Sequence, residues 1–242
     1  MSDDLISWSR TFKIYGYTLE QVKEKISTIT FGDVEYKLEP YDLETQIILN
    51  ASAEYEDDAR KLIKPVAKEI KKIFGDAIYS TKQAETIEMA LVRLLDKNDL
   101  VLTTAESLTG GLLAARIVNV PGASEIFREG FITYSNKAKR KALDVSKNTL
   151  KKYGAVSKQT AKEMATGAVF AGDADCSLAV TGIAGPDGGT EKKPVGLVYI
   201  ACYLNDKVTV EEYHFEGDRN KVRELSVNNA LDLLRRMILE RD

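Results

Sequence analysis

The sequence contains few of the residues that build metal centres and disulfide frameworks. Among 242 residues it has two cysteines, Cys176 and Cys202, and one histidine, His214. Two cysteines in apolar surroundings are too few for a disulfide framework or a zinc site, so we expect buried thiols. The histidine lies in the alternating segment VTVEEYHFEG, which predicts a strand histidine with a polar partner rather than a catalytic base. We therefore expect neither a metal nor a cofactor.

Long apolar runs and an excess of basic residues are also missing. The longest nearly uninterrupted apolar stretch, Val195 to Leu204, is about half of what a bilayer-spanning helix requires. Residues 1–80 hold 11 basic and 15 acidic side chains, and residues 81–242 hold 23 and 22. Neither part has the cationic excess that binding to phosphate backbones demands. The opening MSDDLISWSR has no apolar core, so we expect a cytoplasmic protein with no membrane or nucleic-acid partner.

The length and composition favour two folded domains. Hydrophobic residues make up 44% and charged residues 29% of the chain, as in ordinary globular proteins. In the first part the apolar spacing predicts strands at 8–16 and 45–53 and helices at 18–27 and 55–74. We therefore predict a small N-terminal α/β domain over residues 1–80 and a larger domain over residues 81–242.

The larger domain alternates between strand and helix patterns. Strands are predicted in DLVLTTAES, GFITYS and CSLAVTGI, followed by a hairpin of LVYIACYL and KVTVEEYHF. Helices are predicted over 84–96, in TGGLLAARIVN, from Asn136, over 157–172 and from Asp218. This order indicates an α/β fold with a layered sheet flanked by helices, and the hairpin makes the sheet mixed.

The first chemically informative segment is TTAESLTGG at 103–111. A strand ends at Ser107 in a turn, and two glycines open the next helix. Free amides around Thr109, Gly110 and Gly111 could bind a phosphate or stabilise an oxyanion. The alternative is an ordinary helix cap followed by a glycine turn.

The second segment, GFITYSNKAKRKAL, places Tyr134 after a strand and several lysines on the following helix. A nucleophilic serine needs a base, and a buried lysine with a lowered pKa can supply it when no histidine is suitable. The alternative is a solvated lysine face.

The third segment, VTGIAGPDGGTEKKPVG at 180–196, packs five glycines and two prolines between two apolar strands. Such a loop lets a ligand approach the backbone, although it could also be a plain connection with tight turns. It matches neither a Walker loop nor a dinucleotide-binding fingerprint.

Taken together, these segments resemble a known family. AESLTGG, GFITYSNKAK, GAVS, TGIAGPDGGT with KPVG, and GDR follow in the order found in the C-terminal domain of the CinA family. The resemblance runs from about residue 84 to the end, and it extends weakly into the front part, which looks like the KH-like domain of longer relatives. Their large molybdopterin-binding-like front domain is missing, so its pyrophosphatase activity is not expected here.

The resemblance implies a nicotinamide mononucleotide deamidase of pyridine nucleotide salvage, which releases nicotinate mononucleotide and ammonia. It implies Ser107 as nucleophile, assisted by Tyr134 and Lys139, with a basic residue at Arg219 suited to the substrate phosphate. Position 108 is leucine where many relatives have cysteine, so this neighbour is expected to be structural. The expected substrate-binding residues are Thr109, Gly110, Gly111, Thr181, Gly182, Gly185 and Arg219. A homodimer is also expected from the family.

Two other classes compete with this interpretation. A degenerate relative could bind nucleotides or recruit partners without catalysis, although Ser107, Tyr134 and Lys139 are all present. An RNA-binding role for the front part is disfavoured because residues 1–80 contain no GxxG loop and are acidic overall. Within the enzyme hypothesis, Lys137 remains a second candidate for the base, and a related pyridine nucleotide amide a second candidate substrate.

Overall fold

The structure is a computed structural model that describes residues 5–240. The chain forms two compact units, and the boundary between them lies between Thr86 and Ile87. The predicted boundary, after residue 80, lies six residues earlier. Both units combine a sheet with helices, which confirms the predicted α/β class. In the described residues no helix is long and apolar enough to cross a membrane.

The first unit alternates strands and helices in the order βαββαβ. Its elements are β1 Ile6–Tyr15, α1 Leu19–Ile26, β2 Glu35–Tyr41, β3 Glu44–Ala53, α2 Glu56–Phe74 and β4 Ile78–Ser80, with a 3₁₀ turn at Gly75–Ala77. The strands form one antiparallel sheet in the order β2-β3-β1-β4. This is the split βαβ arrangement of ferredoxin-like folds. The predicted KH-like character of the unit is therefore not confirmed.

The core of the first unit lies between one sheet face and α2. Phe12 and Ile14 of β1 pair with Ile47 and Thr45 of β3, so these side chains share a face of the antiparallel sheet. Phe12, Ile14 and Ile47 are fully buried, together with Ile63 of α2. Apolar side chains of α2, spaced for one helix face, pack at this surface against every second side chain of the strands.

The second unit is built on a mixed five-stranded sheet with helices on both faces. Its elements are α3 Ile87–Lys97, β5 Leu102–Glu106, α4 Leu112–Val118, α5 Ala123–Ile126, β6 Phe127–Ile132, α6 Asn136–Leu143, α7 Lys147–Tyr153, α8 Lys158–Gly172, β7 Cys176–Gly182, β8 Leu197–Leu204, β9 Lys207–His214 and α9 Arg219–Leu239. The strand order is β6-β5-β7-β8-β9. Strands β6, β5 and β7 are parallel, and the predicted hairpin supplies the antiparallel β8 and β9.

Small side chains let helix α8 approach one face of this sheet. Ala105, Ala179 and Ala201 lie on neighbouring strands and pack against Ala161 and Ala165 of α8. Close packing without voids stabilises the sheet because dispersion contacts add over many atoms.

The connections of the parallel strands create a crevice at the carboxyl ends of β5, β6 and β7. From β5 the chain crosses to β6 on one side and later returns to β7 on the other side. In open α/β sheets, ligands bind where the direction of the crossovers reverses in this way. All three chemically informative segments of the sequence end at this edge.

Candidate active site

Ser107 and Lys139 form the centre of the candidate site. Ser107 follows β5 in a sharp turn, and its amide donates to the carbonyl of Val180 on β7. Lys139 lies on the second turn of α6, and its Nζ is 2.8 Å from Oγ of Ser107. The second acceptor of the Lys139 Nζ is the carbonyl of Thr133, at 2.7 Å. Two parallel strands and one helix thus fix both members of the pair.

Burial changes the acid–base behaviour of Lys139. The side chain is fully buried, and within the residues that the structure describes no carboxylate lies within ion-pair distance of its ammonium. Desolvation penalises the charged form, so burial lowers the pKa of Lys139 from 10.5 to about 8. A lysine of this kind carries a substantial neutral fraction near neutral pH and can accept a proton from a serine.

A cavity of about 260 Å³ opens next to this pair. Among the expected site residues, it is lined by Ser107, Tyr134, Lys139, Thr181, Gly182, Gly185 and Arg219. A larger cavity of about 860 Å³ lies between α6 and α8, but none of the expected site residues lines it. The chemistry of the lining residues, rather than the volume, identifies the smaller cavity as the candidate site.

Tyr134 lines the cavity but, within the described residues, forms no hydrogen bond with Ser107 or Lys139. Its hydroxyl accepts a hydrogen bond from Nη2 of Arg219 at 3.2 Å, and the side chain is 63% exposed. Nη1 of the same guanidinium donates to the carbonyl of Gly185 at 2.9 Å. Arg219 therefore joins the glycine-rich loop to Tyr134. A guanidinium has five N–H donors, so donors remain for an anionic ligand.

The glycine-rich loop between β7 and β8 forms one wall of the cavity. Gly185 has a φ of +81°, and a Cβ added there would lie 2.6 Å from Cγ1 of Val195. The loop is held against the chain before α8 by Lys193, whose Nζ donates to the carbonyls of Tyr153 and Val156. Thr181 donates its hydroxyl to the carbonyl of Ala155, another wall residue. The loop, which is expected to border a ligand site, lines the candidate cavity.

The turn after Ser107 differs from the expectation. The amide of Gly110 donates to the carbonyl of Ser107, and the amide of Gly111 donates to the carboxylate of Glu106. Thr109 is fully buried, and neither it nor the two glycines lines the cavity. The prediction that the amides of Gly110 and Gly111 are free donors is wrong, because groups of the protein already occupy them.

Glu106 is one residue that sequence reasoning missed. Its carboxylate is fully buried at the end of β5 and accepts hydrogen bonds from the amides of Gly111, Leu113 and Ala114 at 2.9, 3.1 and 2.9 Å. An anion at a helix N-terminus is stabilised by the unpaired amides and the helix dipole. An acidic residue between a buried strand and a glycine-opened helix is the signal that could have revealed this role.

Arg223 holds the other side of the same turn. From α9 its Nε donates to the carbonyl of Leu108 at 3.1 Å and its Nη2 to that of Thr109 at 2.8 Å. The amides of Leu108 and Thr109 have no acceptor among residues 5–240. These two amides, rather than those of Gly110 and Gly111, remain available beside Ser107.

The single histidine and the two cysteines have the surroundings that the sequence predicts. His214 is on β9 and pairs with Glu212 at 2.9 Å, so it is a strand histidine with a polar partner. Cys176 and Cys202 are buried thiols, as expected. The described residues contain no cluster of histidine, cysteine, aspartate and glutamate suited to a metal ion.

The sheet, the buried serine–lysine pair and the glycine-lined cavity define the class of protein: an α/β domain with a serine–lysine site at a topological switch point. The family model for the CinA C-terminal domain matches residues 84–238. This chain belongs to the CinA family.

Similar proteins agree with that assignment. A competence-damage inducible protein of Clostridium beijerinckii is 45% identical over 239 residues, which are 98% of this chain and 58% of that protein. A CinA-like protein of Kosmotoga olearia is 44% identical over 236 residues, 97% of this chain and 57% of the relative. The chain thus spans less than two thirds of the length of these relatives.

Solved structures align with about two thirds of this chain. The competence/damage inducible protein CihA of Agrobacterium tumefaciens is 39% identical with a TM-score of 0.59, and it aligns over 64% of this chain and 97% of its own. A CinA superfamily protein of Escherichia coli is 41% identical with a TM-score of 0.60, over 64% of this chain and 93% of its own.

Proposed function

We propose that this chain is an amidohydrolase that converts nicotinamide mononucleotide to nicotinate mononucleotide and ammonia. The observation that carries the proposal is the 2.8 Å contact between Oγ of Ser107 and the buried Nζ of Lys139. An unactivated serine hydroxyl is a weak nucleophile, and a neighbouring base of lowered pKa activates it by accepting its proton.

The first step forms an acyl-enzyme. Oγ of Ser107 bonds to the carboxamide carbon while its proton passes to the neutral amine of Lys139. The resulting tetrahedral centre carries a negative oxygen, and the amide of Leu108, a residue that lines the cavity, is the donor best suited to hold it. When the C–N bond breaks, Lys139 returns the proton to the leaving nitrogen and ammonia departs.

The second step regenerates the serine. A water molecule gives a proton to the neutral amine of Lys139 and attacks the ester carbon. The ester C–O bond then breaks, and Oγ of Ser107 recovers its proton from Lys139. Atoms and charges balance with substrate and water alone.

The family resemblance names the substrate, and three features of the cavity support it. Arg219 has remaining donors beside the glycine-rich loop, as a ribose phosphate requires. Burial favours the neutral form of Lys139, and this form does not repel a cationic pyridinium ring. Tyr134 borders the same space and can contact the ring or the ribose.

The decisive measurement is ammonia release from a panel of pyridine nucleotide amides by the wild type and Ser107→Ala. We expect the variant to fold and to lose about three or more powers of ten in kcat. Ser124→Ala is the matched control, because this exposed serine lies outside the cavity. Near-normal turnover in Ser107→Ala contradicts the proposal. Binding of the nucleotide without ammonia release by the wild type would favour the non-catalytic alternative.

A further inference from the structure

One edge of the first unit's sheet is open. Strand β1 pairs with β3 along its whole length, from Ile6 to Tyr15. On its other side β4 pairs only with Lys13 and Ile14. No described residue therefore pairs with the outer edge of β1 over Ile6–Phe12. An unpaired edge presents a row of backbone donors and acceptors that can accept another strand.

A basic groove runs beside this open edge. Its lining consists of Arg10 from β1 and, from α2, Lys61, Lys64, Pro65, Ala67, Lys68 and Lys71. Arg10 lies on the same sheet face as Trp8 and Phe12, which is the face that α2 covers. The groove, with a volume of about 610 Å³, thus lies between the helix and the edge strand. Among residues 5–240, no acidic side chain lines it.

Most of these cations have no carboxylate partner. Lys61 pairs with Asp58 at 2.7 Å. Lys64, Lys68 and Lys71 have no ion pair with any residue from 5 to 240, and Arg10 lies over the ring of Phe12. The local charge is opposite to the net charge of −4 that residues 1–80 carry, from 11 basic and 15 acidic side chains. Five of the 11 basic side chains in residues 1–80 thus line the groove beside the open edge.

The spacing of the lysines suits an extended chain. Lys61 and Lys71 are separated by ten residues of helix, or about 15 Å along its axis. Residues i and i+4 of a strand are separated by about 14 Å, and side chains i, i+2 and i+4 point to one face. A strand added to β1 would direct every second side chain into the groove.

We infer that the β1 edge and the basic groove together dock an extended acidic segment of a partner protein by strand addition. Main-chain hydrogen bonds to Ile6–Phe12 would supply affinity, and alternate Glu or Asp side chains facing Lys64, Lys68 and Lys71 would supply specificity. A second copy of this chain fits poorly, because symmetric pairing of two β1 edges brings two basic grooves together.

The test uses a fluorescein-labelled peptide of four Glu-Thr repeats and its Lys-Thr counterpart, with binding followed by anisotropy on the full chain. We expect the acidic peptide to bind, the basic one not to bind, and affinity to fall as salt rises beyond about 0.15 M. Hydrogen exchange should show new protection of the amides of Ile6–Phe12. No binding of the acidic peptide, or protection confined to other segments, overturns the inference.

Two double variants distinguish binding in this groove from a general effect of surface charge. Lys64→Glu/Lys68→Glu should weaken binding by at least about tenfold, because each change replaces an attraction with a repulsion. Lys23→Glu/Lys72→Glu is the matched control, since it makes the same charge change at two exposed positions outside the groove. Equal losses in the two double variants contradict a specific site.

Two further arms test strand addition itself. A Glu-Thr peptide methylated on every backbone nitrogen keeps its charges and loses its donors, so we expect its binding to disappear. Equal binding of the methylated peptide, or of an oligothymidylate of the same charge, shows general polyanion attraction and overturns the inference. A dimer in sedimentation that Lys64→Glu/Lys68→Glu strengthens would assign the edge to a second copy and also overturn it.

Discussion

Two turns leave the same edge of the second unit's sheet, and they use their backbones in opposite ways. After β5, the amides that start α4 are occupied by Glu106, and Arg223 fixes the carbonyls of the preceding turn. After β7, the glycine-rich loop lines the cavity and offers the carbonyl of Gly185 to Arg219. Glycine content alone therefore does not distinguish a closed turn that positions a nucleophile from an open loop that borders a ligand.

In the proposed function, the turn after β5 carries the chemistry and the loop after β7 binds the substrate. The largest expected effect comes from the chemical side. Lys139→Met should lower kcat for ammonia release by about three powers of ten, because Ser107 loses its base, and KM should change little. Lys137→Met is the control, since Lys137 lies on the same helix outside the cavity. A larger loss in Lys137→Met would move the base to that residue.

The next effect concerns the closed turn. Glu106→Ala leaves the buried amides of Gly111, Leu113 and Ala114 without acceptors, so the free energy of unfolding should fall by about 3 kcal/mol or more. Urea unfolding followed by circular dichroism measures this change. Glu163→Ala, a carboxylate with its own backbone and hydroxyl partners away from the cavity, is the comparison. If both substitutions have the same effect, the turn after β5 is not specially held.

The pH dependence of the wild type tests the base directly. Because burial lowers the pKa of Lys139 to about 8, the protonated fraction of the amine increases as the pH falls below this value, and the protonated form cannot accept the serine proton. We expect kcat/KM to rise about fiftyfold between pH 6 and pH 8 and then to level off. A profile that falls over this interval excludes a neutral lysine as the base.

The smallest expected effect is a change in KM, tested by substituting one glycine in each turn. Gly185→Ala should raise KM by about tenfold, because the new Cβ meets Val195 and shifts the cavity wall. A Cβ at Gly110 meets no atom within 4 Å, although φ is +59°. Gly110→Ala should therefore cost about 1 kcal/mol of stability and leave KM nearly unchanged. Equal changes in KM would remove the distinction between the two turns.

The sequence predicts most of the second unit because its apolar pattern is regular. Strands β5, β7 and β8 are buried along nearly their whole length, so their apolar runs stand out from the polar loops. In contrast, β2 was not predicted, because EYKLEPY is partly or fully exposed at every position and contains a proline. The pairing of β2 with β3, which no local pattern records, stabilises it as a strand.

The candidate site likewise contains residues that the sequence predicts and residues that it does not. Ser107, Lys139 and the glycine-rich loop belong to recognisable segments, and the structure brings them to one cavity. Arg223 contacts carbonyls more than a hundred residues away, and these contacts depend on how α9 packs. Local sequence cannot predict them. Glu106 was missed because a fully buried carboxylate opposes the usual relation between charge and exposure.

The isolation of the Lys139 amine has a thermodynamic consequence for the proposed substrate. A pyridinium ring in the same cavity is a second cation, so its binding further disfavours the ammonium form. By reciprocity, uptake of the ring below pH 8 expels a proton into the solvent. The measured binding enthalpy then includes the ionisation heat of the buffer, and the affinity itself increases as the medium becomes more alkaline.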